Sequence, residues 1–145
     1  MGSRRQAREA TLQMLYLCDN CGFGPEEVRH SLLEHLKMPG GSQEFALQLF
    51  EGTWDKRAVL DGLISKYAEN WEMDRMAVID RNILRLAAYE IMDMQETPVS
   101  VIIDEAVEIA KKFSTSDSGK FVNGILDKLK SVRNTSTQNK SASLN

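Results

Sequence analysis

Apolar residues return every three or four positions along almost the whole chain, and no useful stretch alternates with the period of two that a half-buried strand needs. From about Arg4 to Cys18 this spacing puts Ala7, Ala10, Thr11, Met14, Leu15, Leu17 and Cys18 on one mostly apolar arc of a helix. Arg4, Arg5, Arg8, Leu12 and Tyr16 fall on the adjoining side, a basic face that ends in an aromatic ring. Gly22 and Gly24 interrupt the pattern. Pro25-Glu26-Glu27 then opens a second helix that turns Val28, Leu32, Leu33 and Leu36 inward, and Met38-Pro39-Gly40-Gly41 closes it. Ser42 caps a longer segment in which Phe45, Leu49, Phe50, Trp54, Leu60, Leu63, Ile64 and Tyr67 keep helical spacing toward Trp71, with Gly52 bending or splitting it.

The stretch from Asp74 to Met94 is apolar on most of its circumference, through Met76, Val78, Ile79, Ile83, Leu84, Leu86, Ala87, Ala88, Ile91 and Met92, which predicts a helix in the middle of a bundle. After Thr97-Pro98, the residues Val99, Ile103, Ala106, Val107, Ala110 and Phe113 mark another amphipathic helix. The polar turn Ser114-Thr115-Ser116-Asp117 offers a cap for the last one, packed by Phe121, Val122, Ile125, Leu126, Leu129 and Val132. The reading is an all-α protein of six or seven helices forming two packed helical bundles within one domain, 1–132. Its N-terminal subdomain covers about 4–71 and its C-terminal one about 74–132. Residues 133–145, rich in Asn, Thr, Ser, Gln and Lys, are expected to form a disordered polar tail.

A chain of 145 residues with 42% hydrophobic and 27% charged residues holds enough apolar surface for one core without staples. No apolar run approaches the roughly 18 residues that span a bilayer, and the N-terminus lacks the apolar core of a signal peptide, so a cytoplasmic protein with no membrane association is expected. Charge changes the picture more than its net value of −3 indicates. Arg4, Arg5 and Arg8 stand without an acid among the first eight residues. Lys120, Lys128, Lys130, Arg133 and Lys140 face only Asp127, so basic ends flank an acidic body. That distribution predicts a local anion site, not a coat for any polyanion.

Few constellations point to chemistry. Cys18-x-x-Cys21 with His30 and His35 has spacings that suit zinc, but the spacer between the pairs is shorter than a finger uses, so no metal is expected. No glycine-rich phosphate loop, nucleophile elbow or His with an acid partner is present, which predicts a non-catalytic protein without a cofactor. Asp104, Glu105 and Glu108, followed by Lys111 and Lys112, read as a solvated helix face laced with ion pairs. The N-terminal arginines grouped with Tyr16 form a phosphate-binding stripe that ends on a surface for base stacking. Asp117-Ser118-Gly119-Lys120-Phe121-Val122-Asn123-Gly124 is a second candidate. A helix N-terminus there presents free backbone N–H groups to an anion, Lys120 adds charge, and Asn123 can pair with a base edge. Phe121 keeps spacing with Ile125, so packing and stacking are both open to it.

Three ordered blocks then resemble one family. They are Arg4-Arg5-Gln6-Ala7-Arg8-Glu9 with Gln13, Leu15 and Tyr16; Asp80-Arg81-Asn82-Ile83-Leu84-Arg85-Leu86-Ala87-Ala88-Tyr89-Glu90; and Ile103 to Glu108 continuing through Lys111-Lys112-Phe113 to Lys120-Phe121-Val122-Asn123-Gly124-Ile125-Leu126-Asp127. Together they resemble the NusB family of bacterial transcription antitermination factors, from Arg4 to about Val132. The resemblance implies two helical bundles packed together and a protein that joins NusE, a small-subunit ribosomal protein, to bind single-stranded boxA RNA. It implies assembly with other Nus factors on RNA polymerase, notably in ribosomal RNA transcription. Carried over by motif, Arg4, Arg5, Arg8, Gln13, Tyr16, Asp117, Ser118, Lys120, Phe121 and Asn123 face RNA. Arg75, Met76, Asp80, Arg81 and Leu84 face the protein partner. Gln6 breaks what is often an unbroken arginine run, which implies weaker intrinsic RNA affinity. Two other readings stay open: a protein-only helical scaffold or homodimer, and a detached RNA-targeting domain related to RNA cytosine methyltransferases. The second is disfavoured because no cofactor-binding βαβ pattern follows.

Overall fold

A computed structural model describes residues 2–35, 38, 41–69 and 71–144, with side chains for all of these except 2, 35 and 134–144. It contains seven α-helices and no strand among the described residues. They are α1 (Gly2–Cys21), α2 (Pro25–His35), α3 (Ser42–Asp55), α4 (Arg57–Tyr67), α5 (Val78–Asp93), α6 (Val99–Phe113) and α7 (Ser116–Leu144), with a short 3-10 turn, Met73–Arg75, before α5. Pro25 takes the first position of α2, where its missing N–H costs nothing. Gly22, at φ 76°, supplies the left-handed residue that ends α1.

Helix α5 occupies the centre, against α1, α3 and α4 on one side and α6 and α7 on the other. Its run from Asn82 to Ile91 is buried throughout, as its apolar circumference predicts. Asn82, Arg85 and Glu90 in that run are each answered by another helix. Arg85 forks onto Asp61 of α4 at 2.6 and 2.8 Å and reaches Asp19 of α1 at 2.9 Å. Asn82 donates to the same Asp19 carboxylate at 3.0 Å. These bonds fix how α1, α4 and α5 cross, because a buried guanidinium or amide left unpaired is costly.

Several expectations are corrected. The long third segment divides at Lys56, between α3 and α4, and not at Gly52. Gly52 lies inside α3 under the Tyr89 ring of α5, where an added Cβ would come within 2.1 Å of the ring, so its small size serves helix packing. Leu33, expected inward, is exposed because α2 buries Val28 and Leu32 instead. Leu36, expected inward, and Pro39 and Gly40, expected among the residues that close the second helix, lie outside the described residues. In place of the disordered tail expected over 133–145, the backbone of α7 continues to Leu144, with no Pro or Gly after Gly124 to interrupt it. Arg133, assigned to that tail, is buried. Its guanidinium donates to the carbonyls of Glu90, Ile91 and Met94 at 2.8–3.0 Å and to that of Thr97, capping the C-terminus of α5.

Candidate nucleic-acid interface

The three N-terminal arginines lie on α1, but each has its own partner. Arg4 lays its guanidinium over the Phe45 ring of α3, 3.9 Å from the centroid, and remains exposed. Arg5 donates to Glu105 of α6 at 2.6 Å with its side chain 43% exposed. That bond, working against some burial, raises the Arg5 pKa above its ordinary value. Arg8 departs from the expected solvent-open stripe. It is 4% exposed and forks onto Glu90 of α5 at 2.8–3.2 Å. The physical reason is that Glu90 sits in the buried face of α5 and needs a counter-charge, which Arg8 of α1 supplies side chain to side chain. Leu12, placed beside the arginines by periodicity, is buried as well.

Further along α1 the surface opens. Gln13 is exposed and Tyr16 half-buried, its hydroxyl accepting from Asn20 at 3.0 Å. With Leu12, Leu17, Ile79 and Phe113 they line an apolar depression of about 330 Å³. At the start of α7, Thr115 supplies the cap, its hydroxyl accepting from the Ser118 amide at 3.0 Å. Asp117, Ser118 and Phe121 line a second depression of about 270 Å³ with Trp71, Met76, Ala77, Asp80 and Thr115. Lys120 and Asn123 are exposed on the same turns.

The two depressions are neighbours along the chain. Ile79 lines the first and Asp80, next to it in α5, the second, while Phe113 of the first ends α6 two residues before the Thr115 cap of α7. Helix α1 and the start of α7 therefore each border a depression beside the first turn of α5. The C-terminal turn of α6 adds charge nearby: Lys112 binds Glu9 of α1, and Lys111 lies against Gly119, its Cγ 3.1 Å from where a Cβ would sit. Sequence reasoning treated Lys111 and Lys112 as a solvated face and Trp71 as the end of the third apolar segment. Trp71 is 53% exposed and meets Phe121 edge-on, with centroids 5.2 Å apart and planes at 70°. Its polar neighbours Glu69 and Glu72 were the available signal that this aromatic faces outward.

The expected protein-partner residues do not form a surface together. Leu84 is fully buried in α5, and Met76 and Asp80 are buried beside the α7 cap, so the central block packs more than it presents. Arg81 is held by Asp19 and by the Met73 carbonyl. Only Arg75 stands in solvent, 81% exposed near Glu72. Two carboxylates, partly buried Asp19 against α5 and buried Asp80 within it, differ sharply. Burial pushes Asp19 up, but the bonds from Asn82 and Arg81 and the charges of Arg85 and Arg81 outweigh it and leave its pKa lowered. Asp80 has no cation. Burial raises its pKa, against the hydroxyls of Ser118 and Ser114 that favour the charged form. Cys18 is buried, Cys21 and His30 are exposed, and the His35 side chain lies outside the described residues, with no metal-ligating cluster among those described. No helix is long and apolar enough to cross a membrane among the described residues.

A family model described as the NusB family matches residues 5–131. A transcription antitermination protein NusB from Elusimicrobium minutum is 46% identical over 92% of this chain and 96% of its own length. One from Syntrophomonas wolfei is 41% identical over 91% and 98%. Among solved structures, NusB of T. maritima superposes with a TM-score of 0.81 at 38% identity, covering 88% of this chain and 90% of that one. A structure of antitermination factors NusB and NusE in complex with dsRNA gives a TM-score of 0.81 at 26% identity, covering 91% and 98%.

Proposed function

The chain belongs to the NusB family, and from that membership we propose that this non-catalytic transcription antitermination factor grips single-stranded boxA RNA together with a NusE-type ribosomal protein. It acts in the cytoplasm with other Nus factors on RNA polymerase, notably during ribosomal RNA transcription. The observation that carries the RNA half is the pair of depressions beside the first turn of α5, one lined by Gln13 and Tyr16 and the other by Asp117, Ser118 and Phe121, with Lys120 and Asn123 exposed on the same turns of α7. Lysines beside them neutralise phosphates, exposed rings stack on unpaired bases, and amide side chains read base edges. Arg4 and Arg5 contribute at the margin, where both reach solvent. For the protein partner, Arg75 is the one expected residue that stands well out in solvent, and it offers a better contact than the buried central block does.

A titration of boxA-like single-stranded RNA across salt concentrations, with and without the NusE-type protein, tests this. Affinity should fall linearly with salt on logarithmic axes and rise when the partner is present. No affinity with the partner present would defeat the reading. A homodimer that stays closed in light scattering when the partner is added would favour the scaffold instead.

A further inference from the structure

The depression at the start of α7 contains a group that general RNA binding does not use. Asp80 is 8% exposed and forms part of the lining. Its Oδ2 accepts from Ser118 Oγ at 3.1 Å, and Oδ1 has no hydrogen-bond partner among the described residues. Buried carboxylate oxygens are seldom left so, because the missing donor costs stability. The walls around it are aromatic and apolar: Trp71 and Phe121 meet at a corner, with Met76 and Ala77 beside them. Asp117 stands at the opening, and Lys120, one turn on, shares its helix face. Lys111 approaches the same turn at Gly119.

We propose that this depression takes the base of one unpaired nucleotide bearing an exocyclic amino group, with Asp80 Oδ1 accepting the amino hydrogen and Trp71 and Phe121 flanking the ring. The assignment rests on the RNA-binding reading above and adds to it the residue that selects the base. A carboxylate oxygen only accepts. Adenine, cytosine and guanine each offer an amino donor, whereas uracil flanks its one ring N–H with two carbonyl oxygens that a carboxylate repels. An acceptor among rings with lysines outside matches a nucleotide from end to end, base inward and phosphate outward. A cationic side chain from a protein partner would also satisfy Asp80, and the test separates the two occupants.

The test uses the full chain with its NusE-type partner and short all-uridine RNA strands, compared by fluorescence anisotropy with strands carrying a single A, C or G. Amino-bearing strands should bind about tenfold tighter, the scale of one hydrogen bond to a charged group. Asp80→Asn keeps an oxygen for Ser118 and places an N–H₂ at the other position, so it should erase that preference or turn it toward uridine. Trp71→Ala alters an exposed side chain and keeps the test standing if Asp80→Asn unfolds. It should weaken the amino-bearing strands about fivefold or more through lost stacking. Equal affinity for all strands, a preference unchanged in Asp80→Asn, or no effect of Trp71→Ala would each overturn the proposal while RNA binding stands. Loss of the partner protein in Asp80→Asn with base preference intact would assign the carboxylate to a protein cation and overturn it too. Failure to bind any strand would instead overturn the underlying reading.

Discussion

The first turns of α1 carry Arg4, Arg5 and Arg8 and those of α7 carry Lys120, and the fold treats the two sets differently. On α1 the cations are held by the protein to differing degrees: Arg8 neutralises buried Glu90, half-exposed Arg5 ties α1 to α6, and exposed Arg4 lies over Phe45. On α7, Lys120 and Asn123 stay in solvent, Asp117 and Phe121 border a depression, and the capped first turn meets Trp71. A basic helix start is therefore not by itself an anion site. What decides is whether an acid from another helix reaches the cation first, and long-range partners such as Glu90 and Glu105 have no local signature in sequence.

The comparison would break most visibly at Arg8. Arg8→Ala leaves Glu90 charged and buried, and should cost about 3–5 kcal/mol in urea denaturation. Replacing both partners, as Arg8→Met with Glu90→Leu, should recover most of that stability. If Arg8→Ala kept full stability but lost RNA, the division of labour drawn here would be wrong.

Acid titration sharpens the contrast between Asp19 and Asp80. The folded-state pKa of Asp19 lies below its unfolded value, so its contribution is complete above the ordinary carboxylate range and is lost as pH falls through the folded value. Asp80 lies above its unfolded value, so its contribution is present when both states are protonated-favouring at low pH and is lost as pH rises through the folded value. Asp19→Asn should flatten the acid limb of a stability-versus-pH curve. Asp80→Asn should instead remove a decline on the rising-pH side, and identical curves for the two variants would refute the assignment.

Smaller effects separate the surfaces directly. Lys120→Ala should leave stability within about 0.5 kcal/mol of the parent while reducing the salt slope of RNA binding by about one. Arg5→Ala removes a half-exposed ion pair and should cost no more than about 1 kcal/mol in the same denaturation experiment.

Much of the fold was legible because burial is periodic. The apolar circumference of residues 82–91 announced the central helix, and Pro25, Gly22 and Thr97-Pro98 marked real boundaries. What periodicity missed were pairings across the fold. Arg133 looked like the first residue of a tail because nothing near it in sequence shows that four carbonyls at the end of α5 await it. Leu84 and Asp80 belonged to a motif block that suggested a partner surface, and packing took them inside. The α7 half of the candidate interface was visible from its cap and charge. Trp71, Lys111 and Lys112 joined it only through tertiary placement.

Hydrogen exchange on the RNA complex tests the central claim most directly, that the strand lies on the opening turns of α7 and on α1 around Tyr16. The account predicts that RNA slows exchange at 116–123 and 13–17, with little change at 3–9. Protection confined to 3–9, with 116–123 exchanging as in the free protein, would contradict it.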